Sequence, residues 1–470
     1  MTTAPGTHVV AGATSQRVLI GPTYLSAIEK VDWPESTVKY LKDHRSPEAA
    51  DSAPFLYYDA ASMRKGIARS SIDKELGELI IALNRDVNCF FLAERERQNI
   101  LDGPFLAPIH LSDCARYAWS LLKEYKPNLV VFHNYPHALF TYVLSKIALH
   151  LNIRTLLVHF SALPWRMCIS RFLEDGSTTK LRLREHVKEE ERESITSYMT
   201  RLQSSHEKAI PATDLNWIAP NQNTFSIRED LKLLTRDFVL KCLARMYMKA
   251  RVYRSFKAYV TDQPGEKPYV VFLLHYQPEE ATLPRGGIFA QQLNAILKLR
   301  SVLPDQVKIL VKENRATFRA PFTLATSVRS QGFYRAIASI PGAYLVPVER
   351  DTFELVDNAL AVATITGSVG LEALCRGKRV LIFGDASYKH FSGVTRLDTA
   401  HPDGGGLSSL ASNNWTHDPA ATERDMQTEF LSSIGPPDED NDTNFRSQQI
   451  ATVEAVQYIA SNIAQLVSQP

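Results

Sequence analysis

ALAVATITGSVGLEALCRGKRVLIFG, residues 359–384, decides the fold. Two short apolar runs, Ala361–Ile365 and Arg379–Phe383, bracket Ser368–Cys375, whose apolar residues recur at helical spacing. Runs rich in Val, Ile and Leu without polar alternation read as strands buried on both faces. Strand, tight turn, helix and strand in that order is the unit of a parallel sheet covered by helices. The same rhythm extends outward. Tyr269–Leu274, Val307–Val311 and Ala343–Val346 read as strands, alternating with helical patterns at Phe289–Val302, Ser330–Ala338 and Thr352–Asp357.

The turn-rich stretch 261–268 marks a boundary. Before it, Arg17–Ile20, Phe55–Tyr58, Asn88–Leu92, Leu129–His133 and Thr155–Phe160 read as strands. Helical patterns fall at Ile72–Leu83, Ser112–Glu124 and His137–Leu151. The expectation is an α/β protein of two Rossmann-like doubly wound domains, 1–184 and 263–445. A helical connector, 185–262, joins them and a helix over 446–470 closes the chain. Within the connector, Lys232–Lys257 is strongly basic, with Asp237 its one acid; a solvated helix face or an anionic membrane surface would suit it.

The composition of the 470 residues is that of a globular chain, with 44% hydrophobic and 22% charged residues. A formal net charge of +2 gives no general attraction to nucleic acid, so an anionic partner must be met locally. Cys89, Cys114, Cys168, Cys242 and Cys375 are odd in number and lack C-x-x-C spacing, which argues against a zinc site or a disulfide framework. No N-terminal signal pattern and no apolar run of membrane-spanning length is present. The expectation is a soluble, cytoplasmic protein.

Ligands of an open parallel sheet sit outside the carboxyl ends of its strands. After the first strand of the second domain come His275, Gln277, Pro278, Glu279 and, a turn later, Arg285, residues able to bind or protonate a substrate or simply to solvate a loop. After the next strand, Lys312 and Arg315 could neutralise a phosphate, or pair with Glu313 at the surface. Thr366, Gly367 and Ser368 lead straight into a helix, an anion-binding arrangement, with Gly370 and Glu372 in its first turn. Glu372 suits a ribose hydroxyl or support of the loop. The plainer reading is Ser368 as a cap and Gly367 and Gly370 as packing residues. The third glycine of the dinucleotide fingerprint is missing, and no P-loop Gly-Lys-Ser/Thr follows. A polar rim, Gly384–His390, follows the fifth strand. In the first domain, His133 and His137 flank a turn after a strand, and His159 and Pro164-Trp-Arg166 follow the next. His137 suits an acid–base role or a helix start.

Leu274-His-Tyr-Gln-Pro-Glu279, Thr282-Leu-Pro284, Val311-Lys-Glu313, Phe333-Tyr334, Ala363–Glu372, Gly377-Lys378 and Phe383-Gly384 together resemble the bacterial capsule polysaccharide biosynthesis proteins. That family includes the transferases of 3-deoxy-manno-octulosonic acid (Kdo). The resemblance implies a GT-B architecture, two Rossmann-like domains facing across a cleft, and transfer of an acidic sugar from a CMP-activated donor without a metal or other cofactor. It implies that Gln277, Pro278 and Glu279 face the donor and that Thr366, Gly367 and Ser368 hold its phosphate or cytidine. From the residues themselves, Glu279 or His137 is assigned as catalytic carboxylate or base, Arg285 and Arg315 as anion clamps, and His275, Lys312, Glu313, Gly370 and Glu372 to the donor site. The implied partners are a nucleotide sugar and a glycan or glycolipid acceptor, with peripheral association at the inner membrane or with a capsule assembly complex. One departure stands out: the family's Lys-Glu-His-Pro is here Lys312-Glu-Asn-Arg315; either Arg315 replaces the missing charge, or the protein uses another sugar nucleotide or none. A non-catalytic assembly subunit of capsule synthesis and export, or a sugar-nucleotide epimerase or hydrolase, would use the same fold.

Overall fold

The computed structural model describes residues 16–21, 26–33, 36–42, 55–57, 71–97, 106–174, 176–204, 247, 250–261, 268–277, 282–319, 329, 331–397, 407, 416–436 and 444–468. Pro278 and Glu279 lie outside them, as do most of the basic stretch 232–257 and the acidic run 438–442.

The described strands form two sheets. In the second, β8 (Tyr269–Leu273), β9 (Lys308–Lys312), β10 (Ala343–Val346), β11 (Ala361–Thr364), β12 (Arg379–Ile382) and β13 (Val394–Arg396) are all parallel, in the order β10-β9-β8-β11-β12-β13. This is a doubly wound Rossmann order: the chain winds outward one way from β8 and then the other way from β11. All five residues of β8 are buried because alternate side chains enter two different cores. Val271 and Leu273 pack with Leu371 and Leu374, whereas Val270 and Phe272 pack with Ile296 and Leu299. That two-sided burial is why the strand reads as an unbroken apolar run.

The first sheet has the same beginning. β1 (Gln16–Ile20), β2 (Ser36–Lys42), β3 (Phe55–Tyr57), β4 (Leu129–His133) and β5 (Arg154–Phe160) are parallel, in the order β3-β2-β1-β4-β5. Antiparallel β6 (Met167–Phe172) follows, flanked by β7 (Thr178–Lys180) and β14 (Ser433–Ile434). The protein is thus an α/β molecule of two Rossmann-like units. After β14 the closing helices, Asn444–Ser461 and Ile463–Ser468, return to the first sheet. There Ala451, Ala455, Val456 and Ile459 pack against Val18, Ile20, Val158 and Ile169.

Several local expectations need correction. Asn88–Leu92 is not a strand but part of the helix Val87–Arg97. Cys89, Leu92 and Ala93 are buried while Phe90 stands 56% exposed, a helical period inside a run too short to show it. The segment 384–445, where the sequence reading placed no strand or helix, contains β13, β14 and the helix Pro419–Leu431, which is capped by Asp418 accepting from the Ala420 N–H. β2, β6 and β7 also escaped the sequence reading.

Candidate functional site: the carboxyl edge of the second sheet

The strand order reverses between β8 and β11, so a crevice opens there at the carboxyl edge. The loops after these two strands are bound to each other. The Thr366 N–H donates to His275 Nε2 at 3.2 Å, and the same nitrogen lies 3.1 Å from Thr364 Oγ1. With a backbone N–H donating to Nε2, the ring proton of a neutral His275 belongs on Nδ1. His275 is therefore a brace between the two loops.

The loop after β8 rests on a buried polar network. Gln277 donates to the Ala290 carbonyl at 2.7 Å and to Thr282 Oγ1 at 3.3 Å. Arg329, 1% exposed, donates to the His275 carbonyl at 2.8 Å and pairs with Glu313 at 2.8 Å. Glu313 also accepts from the Tyr334 hydroxyl at 2.8 Å and from Thr317 Oγ1 at 3.3 Å. Lys312 donates to the Val348 carbonyl at 2.8 Å, and burial pulls its amine down to about 8. The side chains of Gln277, Lys312 and Glu313 thus hold the protein itself. Arg315 is half-buried beside the Glu349 carbonyl, 3.4 Å from its Nη2, on the β9–β10 side of the sheet.

The loop after β11 is built differently. Ser368 begins the helix Val369–Cys375 without capping it; its hydroxyl donates instead to Glu372 Oε1 at 3.3 Å. Ser368 is exposed, whereas Glu372 is 7% exposed and its Oε2 is buried with no hydrogen-bond partner. Burial raises the Glu372 carboxyl to about 7. Both glycines are dictated by close packing. A Cβ on Gly370 would come within 2.1 Å of the Tyr388 hydroxyl, and one on Gly367 within 2.9 Å of Thr364 Oγ1. The Tyr388 hydroxyl donates to the Gly367 carbonyl and fixes the loop from the far side.

Beyond Tyr388 the two units meet. Asp385 Oδ2 accepts from the Tyr135 hydroxyl at 2.8 Å and from Thr178 Oγ1 at 3.0 Å, both in the first unit. Its Oδ1 is paired with Lys389, and these partners hold the Asp385 carboxyl below its ordinary range despite burial. Arg285 donates through Nε and Nη2 to the Asp385 carbonyl, at 2.8 and 2.6 Å, and stacks its guanidinium 4.6 Å from the Tyr135 ring centre. A second junction pairs Lys180 with Glu429 at 2.6 Å; the ion pair pulls Glu429 down and raises Lys180. Between the units lies a cleft of about 160 Å³ whose lining includes Asn88, Ser177, Arg285, Ile288, Asp385 and Arg396.

His137 lies in the loop after β4 that carries Tyr135, half-buried, with Nδ1 3.1 Å from the Tyr135 carbonyl. The structure therefore brings the His137 loop to Arg285, and His275 to Thr366, Gly367 and the β11 loop. Described contacts do not join Lys312 or Arg315 to that group. His159 is not a cleft residue: it is buried against Ser170, 2.8 Å away, and burial lowers its imidazole to about 3. Trp165 is fully buried and Arg166 holds the Ser433 and Gly435 carbonyls. Tyr135, Thr178, Arg329, Asp385 and Arg396 were not singled out from the sequence. Of these Asp385 and Tyr135 had a signal there, their places just after a strand.

Residues 326–404 match the family model described as Capsule polysaccharide biosynthesis protein. The match makes this part of the chain similar to that family. The matched stretch encloses β10 to β13, the Thr366–Glu372 loop, Asp385 and Arg396. No curated protein matches the chain. Among solved structures, UDP-GlcNAc 2-epimerase from Methanocaldococcus jannaschii is 12% identical, covering 87% of this chain and 98% of its own, with a TM-score of 0.22. The β-Kdo 2,7 transferase of KpsC from Thermosulfurimonas dismutans is 10% identical, covering 67% and 89%, with a TM-score of 0.26. The β-Kdo 2,4 transferase of the same protein is also 10% identical, covering 69% and 86%, with a TM-score of 0.25. Among the described residues no helix is long and apolar enough to cross a membrane.

Proposed function

We propose that the chain is a glycosyltransferase of capsule or surface polysaccharide synthesis, moving an acidic, Kdo-like sugar from a CMP-activated donor to a glycan or glycolipid acceptor. The observation that carries the reading is Glu372: a buried carboxyl with one unpartnered oxygen, next to an exposed hydroxyl, at the switch point of a 3-2-1-4-5-6 sheet. A buried polar atom left without a partner costs about 1–3 kcal/mol, so a ligand hydroxyl that reached this oxygen would recover that cost on binding. A ribose hydroxyl would do so, while Ser368, Gly367 and the helix N-terminus meet the phosphate.

Transfer requires a base for the acceptor hydroxyl and stabilisation of the departing phosphate. In this reading His137, on the facing loop, or Glu279 takes the proton. Arg285 supplies positive charge beside the sugar. The nucleotide sugar and the acceptor are the partners, met at the inner face of the membrane, and the chain's own residues suffice without a metal. A second reading, a non-catalytic assembly subunit, is favoured by one observation: Lys312 and Glu313 serve the fold, and the His-Pro expected after them is Asn314-Arg315.

Calorimetry with CMP, UMP, UDP and GDP decides between these readings. CMP binding in the micromolar range, with the other nucleotides weaker, is the expected result. A preference for UDP or GDP would discard the CMP-linked donor, and silence from all four would overturn the enzyme.

A further inference from the structure

We propose that the basic helical surface over 250–257, at the edge of the second unit, docks on an anionic phospholipid bilayer. The inference deepens the proposed function: it rests on that reading for the membrane, and on the residues below for the surface.

Charge sets this stretch apart. The chain carries 53 Lys and Arg against 51 Asp and Glu, yet 247–261 holds Lys249, Arg251, Arg254 and Lys257 and no acid. A helix face that is merely solvated mixes the two signs.

The structure shows which side is outward. Val252 and Phe256 are buried in the core of the second unit, with Tyr334 and Leu345. Arg251, Arg254 and Lys257 are exposed. The helix Gln331–Ala338, on which Phe256 packs through Tyr334 with ring centres 5.2 Å apart, adds an exposed Arg335 and contains no acid. Glu349 does reach the surface, where Lys257 meets it at 3.9 Å. Because the apolar side of the helix is already buried against the protein, attraction to a bilayer has to be electrostatic, without deep insertion. Two tyrosines favour a bilayer over a soluble polyanion. Tyr247 is 63% exposed and Tyr259 37%, and an apolar ring with a polar tip suits the headgroup level.

The position of the surface gives docking a consequence. Tyr253 and Phe256 each stack with ring centres 5.1 Å from that of Phe318, in the short helix Ala316–Arg319 that follows β9. Val260 pairs with Leu345 of the edge strand β10, and the Thr261 N–H donates to the Leu345 carbonyl at 2.9 Å. The basic surface therefore covers the β10 edge near the carboxyl end of the second sheet. The crevice between β8 and β11 opens at that same end, so a bilayer docked there brings a lipid-linked acceptor toward the site.

The test is co-sedimentation of the full-length chain with vesicles of equimolar phosphatidylcholine and phosphatidylglycerol, against phosphatidylcholine alone. The anionic vesicles should bind at least tenfold more tightly, and about 1 M salt, which screens charges beyond roughly 3 Å, should abolish the difference. Arg251→Glu with Arg254→Glu should weaken binding at least tenfold and leave the thermal midpoint and any CMP affinity unchanged, since both side chains are exposed. Arg251→Gln with Arg254→Gln should lose less, because it removes charge without reversing it; should the reversal lower the midpoint, the Gln pair carries the test. Equal binding to both vesicles, no binding, or binding that survives charge reversal would overturn the proposal. Equally tight binding to poly-glutamate would assign the surface to an acidic protein and also overturn it. Vesicle binding without CMP binding removes the nucleotide reading alone, and CMP binding without vesicle binding removes this proposal alone.

Discussion

The loops after β9 and after β11 carry similar chemistry in the sequence, yet the structure uses them in opposite ways. After β9, Lys312 and Glu313 are both buried and turned inward, one on the Val348 carbonyl and the other on Arg329, Tyr334 and Thr317. After β11, Ser368 is exposed and Glu372 keeps an oxygen with no partner. Charged residues at strand ends are therefore not interchangeable evidence of a binding site. Those whose partners are internal brace the edge, and those left with unmet hydrogen-bonding capacity are where a ligand can be recognised.

The largest effect should come from the bracing side. Arg329→Met leaves the buried Glu313 charge unpaired, at a cost of about 3–5 kcal/mol. Denaturant unfolding should show this, and a loss below about 1 kcal/mol would mean that the network is not a brace.

Glu372 gives the next effect, and its sign differs from that of an ordinary ion pair. Its folded carboxyl titrates at about 7 against an ordinary 4.5. Below 4.5 both folded and unfolded chains hold the proton; between 4.5 and 7 only the folded chain does, so stability falls as pH rises through that window. Glu372→Gln removes the effect. Between pH 5 and 8 the wild type should lose on the order of 2–3 kcal/mol more than the variant. Parallel pH profiles would show that the carboxyl is not held neutral.

A smaller loss is expected at the junction of loop and helix. Gly370→Ala would push against Tyr388, whose hydroxyl holds the Gly367 carbonyl. Such overpacking costs about 1–3 kcal/mol. Tyr388→Leu in the Gly370→Ala background should recover part of it, and no recovery would place the strain elsewhere.

The parts of the fold legible in the sequence are those where burial on both faces leaves an uninterrupted apolar run, as at Tyr269–Leu273 and Ala361–Thr364. Where only one face is apolar or the element is short, the reading failed. Asn88–Leu92 read as a strand on its four apolar residues but belongs to a helix with Phe90 exposed. Ser433–Ile434 is too short to carry a pattern, although it closes the edge of the first sheet. Position relative to strand ends was enough to single out Thr366–Glu372. It could not show that Glu313 would find Arg329, nor that Tyr135 and Asp385, 250 residues apart, would meet. Those are properties of packing, invisible to local spacing.

The most direct test of the difference between the two loops is CMP affinity, measured by calorimetry on wild type, Ser368→Ala and Glu372→Gln. If the β11 loop is the binding edge, CMP binds the wild type, and both substitutions weaken it, Glu372→Gln by about tenfold, the worth of ~1.4 kcal/mol. Undiminished affinity in both variants would contradict the account and move the nucleotide away from this edge.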